Sequence, residues 1–150
     1  MKRQILVIIM CLLVYSCGFT PVYKSKNFSD FSIKSMEFNG DRNINNILKA
    51  KLFEYTNISS ELEHELQINT YYLKNILAKD TGGNATNYEV TVFVNIKTNK
   101  NIALNYSEKN NIKNENNKIN QKNYEKQIIN NLTSTISEKI VFDLSNLNDH

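Results

Sequence analysis

Tyr88-Glu89-Val90-Thr91-Val92-Phe93-Val94-Asn95-Ile96-Lys97 is the stretch whose reading decides the fold. Tyr88, Val90, Val92, Val94 and Ile96 alternate with Glu89, Thr91, Phe93, Asn95 and Lys97. A period of two is the mark of a strand with one buried face and one wet face. Upstream, Leu66, Ile68, Thr70 and Tyr72 alternate with Gln67, Asn69 and Tyr71, which predicts a second strand with the first group facing inward. His64, between Glu63 and Glu65, stands at the start of that strand. Gly82-Gly83-Asn84 supplies a flexible turn between the two. Downstream, Thr98 to Asn101 turns the chain into Ile102, Leu104 and Tyr106, a further strand. Turns this short and polar imply antiparallel neighbours.

Farther out, Phe31 to Phe38 alternates loosely and stops at Asn39-Gly40, a first strand ended by a turn. Asp41 or Asn43 can cap the helix that follows, in which Ile44, Ile47, Leu48, Leu52 and Tyr55 form one apolar stripe. Phe53 falls off that stripe and is expected to be partly exposed. A helix inside this connection permits a right-handed crossover to a parallel neighbour. Asn110 to Asn123 is almost wholly polar, with Ile112 and Ile119 as its anchors, and reads as a mobile loop long enough to suspect a functional contact. A long amphipathic helix closes the chain. Its apolar side is Tyr124, Ile128, Ile129, Leu132, Ile136, Ile140 and Leu144, and its polar side is Lys126, Asn130, Ser134 and Ser137. The expected fold is α+β: a two-layer sandwich with two helices on one face of a four-stranded mixed sheet, in the order β-α-β-β-β-α. The uncovered face would show Tyr71, Phe93 and Asn95.

Composition narrows the function. The chain has 150 residues, one domain's worth, with a net charge of +3. Without Lys2 and Arg3, 16 basic residues face 15 acidic ones, so no concentrated basic face points to nucleic acid. Asparagine, isoleucine and lysine are abundant along the whole length, a bias expected of the source genome. At that asparagine content, triplets such as Asn84-Ala85-Thr86 and Asn131-Leu132-Thr133 match glycosylation acceptors by chance. No catalytic, cofactor or metal site is expected. The only imidazoles are His64 and His150, too few for a metal centre without thiolates. His64 reads as a solvated or lightly paired ring. Gly82-Gly83 lacks the Lys-Ser/Thr pair of a phosphate loop, and Glu61, Glu63, Glu65 and Asp80 read as a solvated surface.

The N-terminus carries the sharpest signal. Lys2 and Arg3 precede an eleven-residue apolar run, Ile5 to Tyr15, that closes on Ser16 and Cys17. The run is too short to span a bilayer, which takes ~20 apolar residues, and has the layout of a secretory signal. Val14-Tyr15-Ser16-Cys17 resembles a bacterial lipobox, although Tyr15 is bulkier than the usual residue. In that reading cleavage falls between Ser16 and Cys17, and Cys17 carries the acyl chains. An ordinary thiol past a plain cleavage site and an uncleaved anchor are the other readings of the same run. Cys11 would leave with the signal, so no internal disulfide is expected. The expected organisation is a signal at 1–16, a lipidated tether at 17–30, one domain at 31–147 and a frayed tail at 148–150.

Cys17-Gly18-Phe19-Thr20-Pro21-Val22-Tyr23 is similar to the Cys-Gly-Phe-x-Pro-Leu-Tyr start of the LPS-assembly lipoprotein LptE family, particularly its alphaproteobacterial branch, with Val22 in place of leucine. The order of elements also resembles that family's. Where the family often has arginine before an aromatic, at the start of the third strand, Asn87 precedes Tyr88. The resemblance implies an outer-membrane lipoprotein on the periplasmic side, partnered with an LptD-type β-barrel that it plugs and helps assemble, and lipopolysaccharide as a ligand. Gly18 fits delivery to the outer membrane. Lys79, Lys97, Lys100 and Lys109, near the expected strand ends, are the candidates for phosphate contact. Two other readings stay open: a different periplasmic lipoprotein acting as a binding or scaffolding module, and a lipid-anchored hydrolase.

Overall fold

A computed structural model describes residues 31–56 and 58–147. The expectations for Ser16, Cys17, the tether and the tail 148–150 lie outside the described residues. The elements are β1 (Ser32–Gly40), α1 (Arg42–Leu52) with a 3-10 turn (Phe53–Tyr55), β2 (Glu63–Lys79), β3 (Ala85–Thr98), β4 (Ala103–Lys113) and α2 (Lys118–Asn146). The sheet order is β1-β2-β3-β4. β1 runs parallel to β2, and the other two pairs are antiparallel. This is the α+β sandwich expected from the pattern, and the helical crossover does deliver a parallel neighbour.

One glycine sets the dimensions of the molecule. Gly40 ends β1 at φ +97°, and a Cβ there would sit 1.8 Å from the Thr70 carbonyl oxygen. That conformation and approach suit glycine alone. The Asp41 N–H donates to the same carbonyl at 3.0 Å, and the Asp41 carboxylate caps α1 by accepting from the Asn43 and Ile44 amides at 2.9 and 3.0 Å. Asp41, not Asn43, is therefore the cap, a contribution of about 1 kcal/mol. Thr70 Oγ1 bonds Asn45 Oδ1 at 2.6 Å, so α1 starts at the level of Thr70. It runs back towards the start of β2, where Tyr55 stacks on Phe31 with ring centroids 5.2 Å apart.

The core lies between sheet and helices. Ile44, Leu48 and Leu52 from α1 meet Leu66, Ile68, Val92, Val94 and Ile96 from the sheet and Ile136, Ile140 and Leu144 from α2. Each such side chain stabilises the fold by about 1.5–3 kcal/mol when removed from water. Phe53 is exposed, as expected.

Four readings need correction. Residues 110–123 are not a loop: β4 continues to Lys113, with Ile112 buried opposite Tyr88, and α2 begins at Lys118 behind an Asn117 cap. The stretch is polar because much of it faces solvent, and Ile119 anchors nothing, being 71% exposed. Ser137 is buried, its hydroxyl donating to the Ser134 carbonyl at 2.7 Å, because α2 is gripped by both α1 and the sheet. Tyr124 is exposed although it sits on the apolar stripe. Tyr72 is likewise exposed, because α1 lies entirely on the other side of the Thr70 level.

Candidate functional surface

β2 changes character at Thr70. From His64 to Thr70 every second residue is buried; from Tyr71 to Lys79 every residue is exposed. β1 accompanies β2 only as far as Gly40 opposite Thr70. Past that point β2 pairs with β3 alone, and its outer half runs as a blade along the sheet edge, while Val90, Val92 and Ile112 of the neighbouring strands stay in the core. Tyr71, Tyr72, Leu73, Ile76 and Leu77 lie open on it. The bare face of the sheet adds a cross-strand stack of Tyr71 on Phe93, centroids 4.7 Å apart. These are the aromatics expected on the uncovered face, though paired rather than isolated.

On the same face one row of the ladder holds Asn39, Asn69, Asn95 and Asn105, one from each strand, in direct register. A row of amides presents donors and acceptors together and carries no charge to desolvate. The blade is braced from the helix side: Lys74 of β2 meets Glu125 of α2 at 2.5 Å and lies 4.3 Å above the Tyr88 ring centroid. At the blade's tip the Asn84 amide and side chain donate to Asp80, which holds that carboxyl below its usual range and closes the Gly82-Gly83 turn.

The four candidate lysines do not converge. Lys79 stands at the blade tip, whereas Lys97 pairs with Gln67 at the far end of the sheet. Twelve residues of strand at ~3.3 Å each put them about 40 Å apart. Lys97 lines a cleft of about 260 Å³ with Glu37 and Glu65, an acidic setting that disfavours phosphate. Lys109 is held by Glu89 at 3.0 Å. Lys100 lies in the turn after β3, and its charge is felt by His64.

His64 corrects another expectation: it is not solvated but 0% exposed. It packs on Phe31 at a ring separation of 6.0 Å. Neither ring nitrogen has a hydrogen-bond partner of good geometry, although the nearby Leu144 carbonyl gives the protonated ring some support. Burial, then the Lys100 charge, lower its pKa, so the ring is neutral. It does not line the cleft beside Lys97. The signal was available: His64-Leu66-Ile68-Thr70 is one period-two series, in which Glu63 and Glu65 face the other way.

On the helix layer, Lys51, Glu54, Tyr55, Ser137, Glu138, Val141 and Phe142 line a groove of about 430 Å³, with Phe142 58% exposed. Tyr106 under α2 donates to Asp143 at 2.8 Å, and burial followed by that carboxylate raises its pKa. Among the described residues no group of His, Cys, Asp and Glu could hold a metal, and no helix is long and apolar enough to cross a membrane.

No protein-family model and no curated protein sequence matches the chain. Solved structures do. A rare lipoprotein B from Shewanella oneidensis superposes with a TM-score of 0.59 at 10% identity, over 75% of this chain and 94% of that one. An uncharacterized lipoprotein B from Nitrosomonas europaea gives 0.59 at 14% identity, over 85% and 92%. A minor lipoprotein from Acinetobacter baumannii gives 0.53 at 10%, over 75% and 91%. At these identities the likeness is one of fold, and it embraces nearly the whole of each neighbour.

Proposed function

We propose that this chain is a lipid-anchored outer-membrane subunit of the lipopolysaccharide translocon that plugs an LptD-type β-barrel, assists its assembly and catalyses nothing itself. The observation that carries the reading is the β-α-β-β-β-α sandwich shared with rare lipoprotein B over 94% of that protein. The Cys17–Tyr23 stretch supports it independently, because its resemblance lies in residues and not in fold. In this reading residues 1–16 are removed and Cys17 is acylated. A diacylglycerol plus an N-acyl chain exceeds the two-chain minimum for stable anchoring and concentrates residues 31–147 at one membrane surface.

The surface suits a plug. Much of the bare sheet face is asparagine, threonine and serine, which can hydrogen-bond in a hydrated lumen with little charge desolvation. The blade adds exposed aromatic and aliphatic groups. Of the four lysines, Lys79 is the proposed contact for lipopolysaccharide phosphate: it sits at the blade tip and, among the described residues, forms no ion pair.

Purification of the native lipoprotein tests the reading. An LptD-type barrel copurifies in near-equal amount, and depletion leaves the barrel poorly assembled and lipopolysaccharide away from the cell surface. Absence of a barrel from the preparation, with normal surface lipopolysaccharide after depletion, favours a different periplasmic binding or scaffolding lipoprotein.

A further inference from the structure

Within a strand, the N–H and C=O of one residue leave on the same side, and successive residues alternate. The Thr70 carbonyl points towards β1, since it accepts from Asp41. The Glu65 carbonyl points the opposite way, accepting from Asn99 beyond β3. The even-numbered residues of β2 therefore face the β1 side. Beyond Thr70 that side has no strand among the described residues. Tyr72, Lys74 and Ile76 thus present three N–H and three C=O groups along an open edge.

Edges of this kind are normally blunted by bulges, charge or a covering element. Here the bulges come only after Ile76, and Lys79 guards only the tip. Tyr71 to Ile76 is regular, about 20 Å long at ~3.3 Å per residue, and flanked by exposed Tyr71, Tyr72, Leu73 and Ile76. Among protein partners, backbone in extended form is what matches a row of alternating donors and acceptors.

We propose that an extended segment of the protein partner, bearing acidic residues, adds to β2 as a strand along Tyr71–Ile76, taking the place in the sheet that β1 vacates at Gly40. The inference rests on the reading that this chain seats against a protein partner. Its position continues an existing interface, the β1–β2 ladder. Its charge follows from the edge: Tyr71 to Lys79 contains no acid, and besides Lys74, which Glu125 already meets, it carries Lys79, which forms no ion pair among the described residues. A second copy of this chain would bring four lysines into one ribbon, so it is the poorer occupant. Side chains of the added strand would meet Tyr72 and Ile76 on the helix side and Tyr71 and Leu73 on the other.

The test has two arms. In the first, the mature lipidated chain in detergent is titrated with a nine-residue peptide alternating valine and glutamate, and amide exchange is read by NMR. Exchange at Tyr72, Lys74 and Ile76 slows tenfold or more, while a valine–lysine peptide has a smaller effect. Equal effects of both peptides, or none, overturn the proposal. So does protection already present in the chain alone, whether it grows with concentration (a second copy) or does not (the chain's own leading segment). In the second arm, Ile76→Pro removes one edge N–H that β3 does not use, and Ile76→Lys leaves the backbone intact but adds charge. Both lower barrel copurification at least fivefold, with circular dichroism unchanged for Ile76→Lys. Undiminished copurification with Ile76→Lys overturns the edge while leaving the translocon reading intact. A wild-type preparation without any barrel defeats the translocon reading, and the peptide arm then decides the edge alone.

Discussion

The two halves of β2 make a controlled comparison within one strand. His64–Thr70 and Tyr71–Lys79 share a partner in β3, yet the first half alternates buried and exposed and the second is exposed throughout. Composition does not separate them, since both halves carry large apolar side chains. The cause is what lies across the sheet. α1 and β1 both stop at the Thr70 level, so one half is sealed into a core and the other runs on as a blade along the sheet edge. Apolar residues in the first half serve stability. In the second they gain little from the fold, which makes a binding role the economical account of their presence.

Gly40→Ala gives the largest effect, because it strikes the point where the halves divide. The positive φ and a 1.8 Å approach to backbone that cannot give way predict a loss of at least about 3 kcal/mol, read from urea denaturation. Ile136→Ala opens a cavity beneath the sealed half and is expected to cost about 3 kcal/mol. An intermediate effect belongs to His64. Burial lowers its pKa from 6.5, so below that value the unfolded chain binds the proton more readily than the folded one. Its contribution is therefore complete above about pH 6.5 and is lost as pH falls through that value, by at most ~1.4 kcal/mol per unit. His64→Phe flattens the acid limb of the stability profile below about pH 6.5; an unchanged slope would assign it to other groups. Leu73→Ser on the blade changes stability by less than about 0.5 kcal/mol and weakens barrel copurification instead. A large loss of stability there would erase the distinction between the halves.

Period-two alternation made β3 and the sealed half of β2 legible, because each has one face against helices. It found the start of β4 at Ile102, Leu104 and Tyr106 but lost the strand beyond, where Glu108 and Asn110 hold inner-face positions. Glu108 can do so because Lys139 of α2 reaches it, and nothing in a single sequence announces that pairing across thirty residues. His64 was misread through its acidic neighbours, although the alternation already assigned them to the opposite face. The asparagine row and the open edge were not legible. Both depend on register between strands and on where β1 ends against β2, which tertiary pairing decides.

Hydrogen exchange of the isolated protein and of its proposed barrel complex, compared amide by amide, tests the central claim most directly: that the blade is built for a partner and the sealed half for stability. The account predicts that Leu66 to Thr70 is protected in both states and that Tyr71 to Ile76 gains protection only in the complex. Equal exchange of Tyr71 to Ile76 in the two states would contradict it.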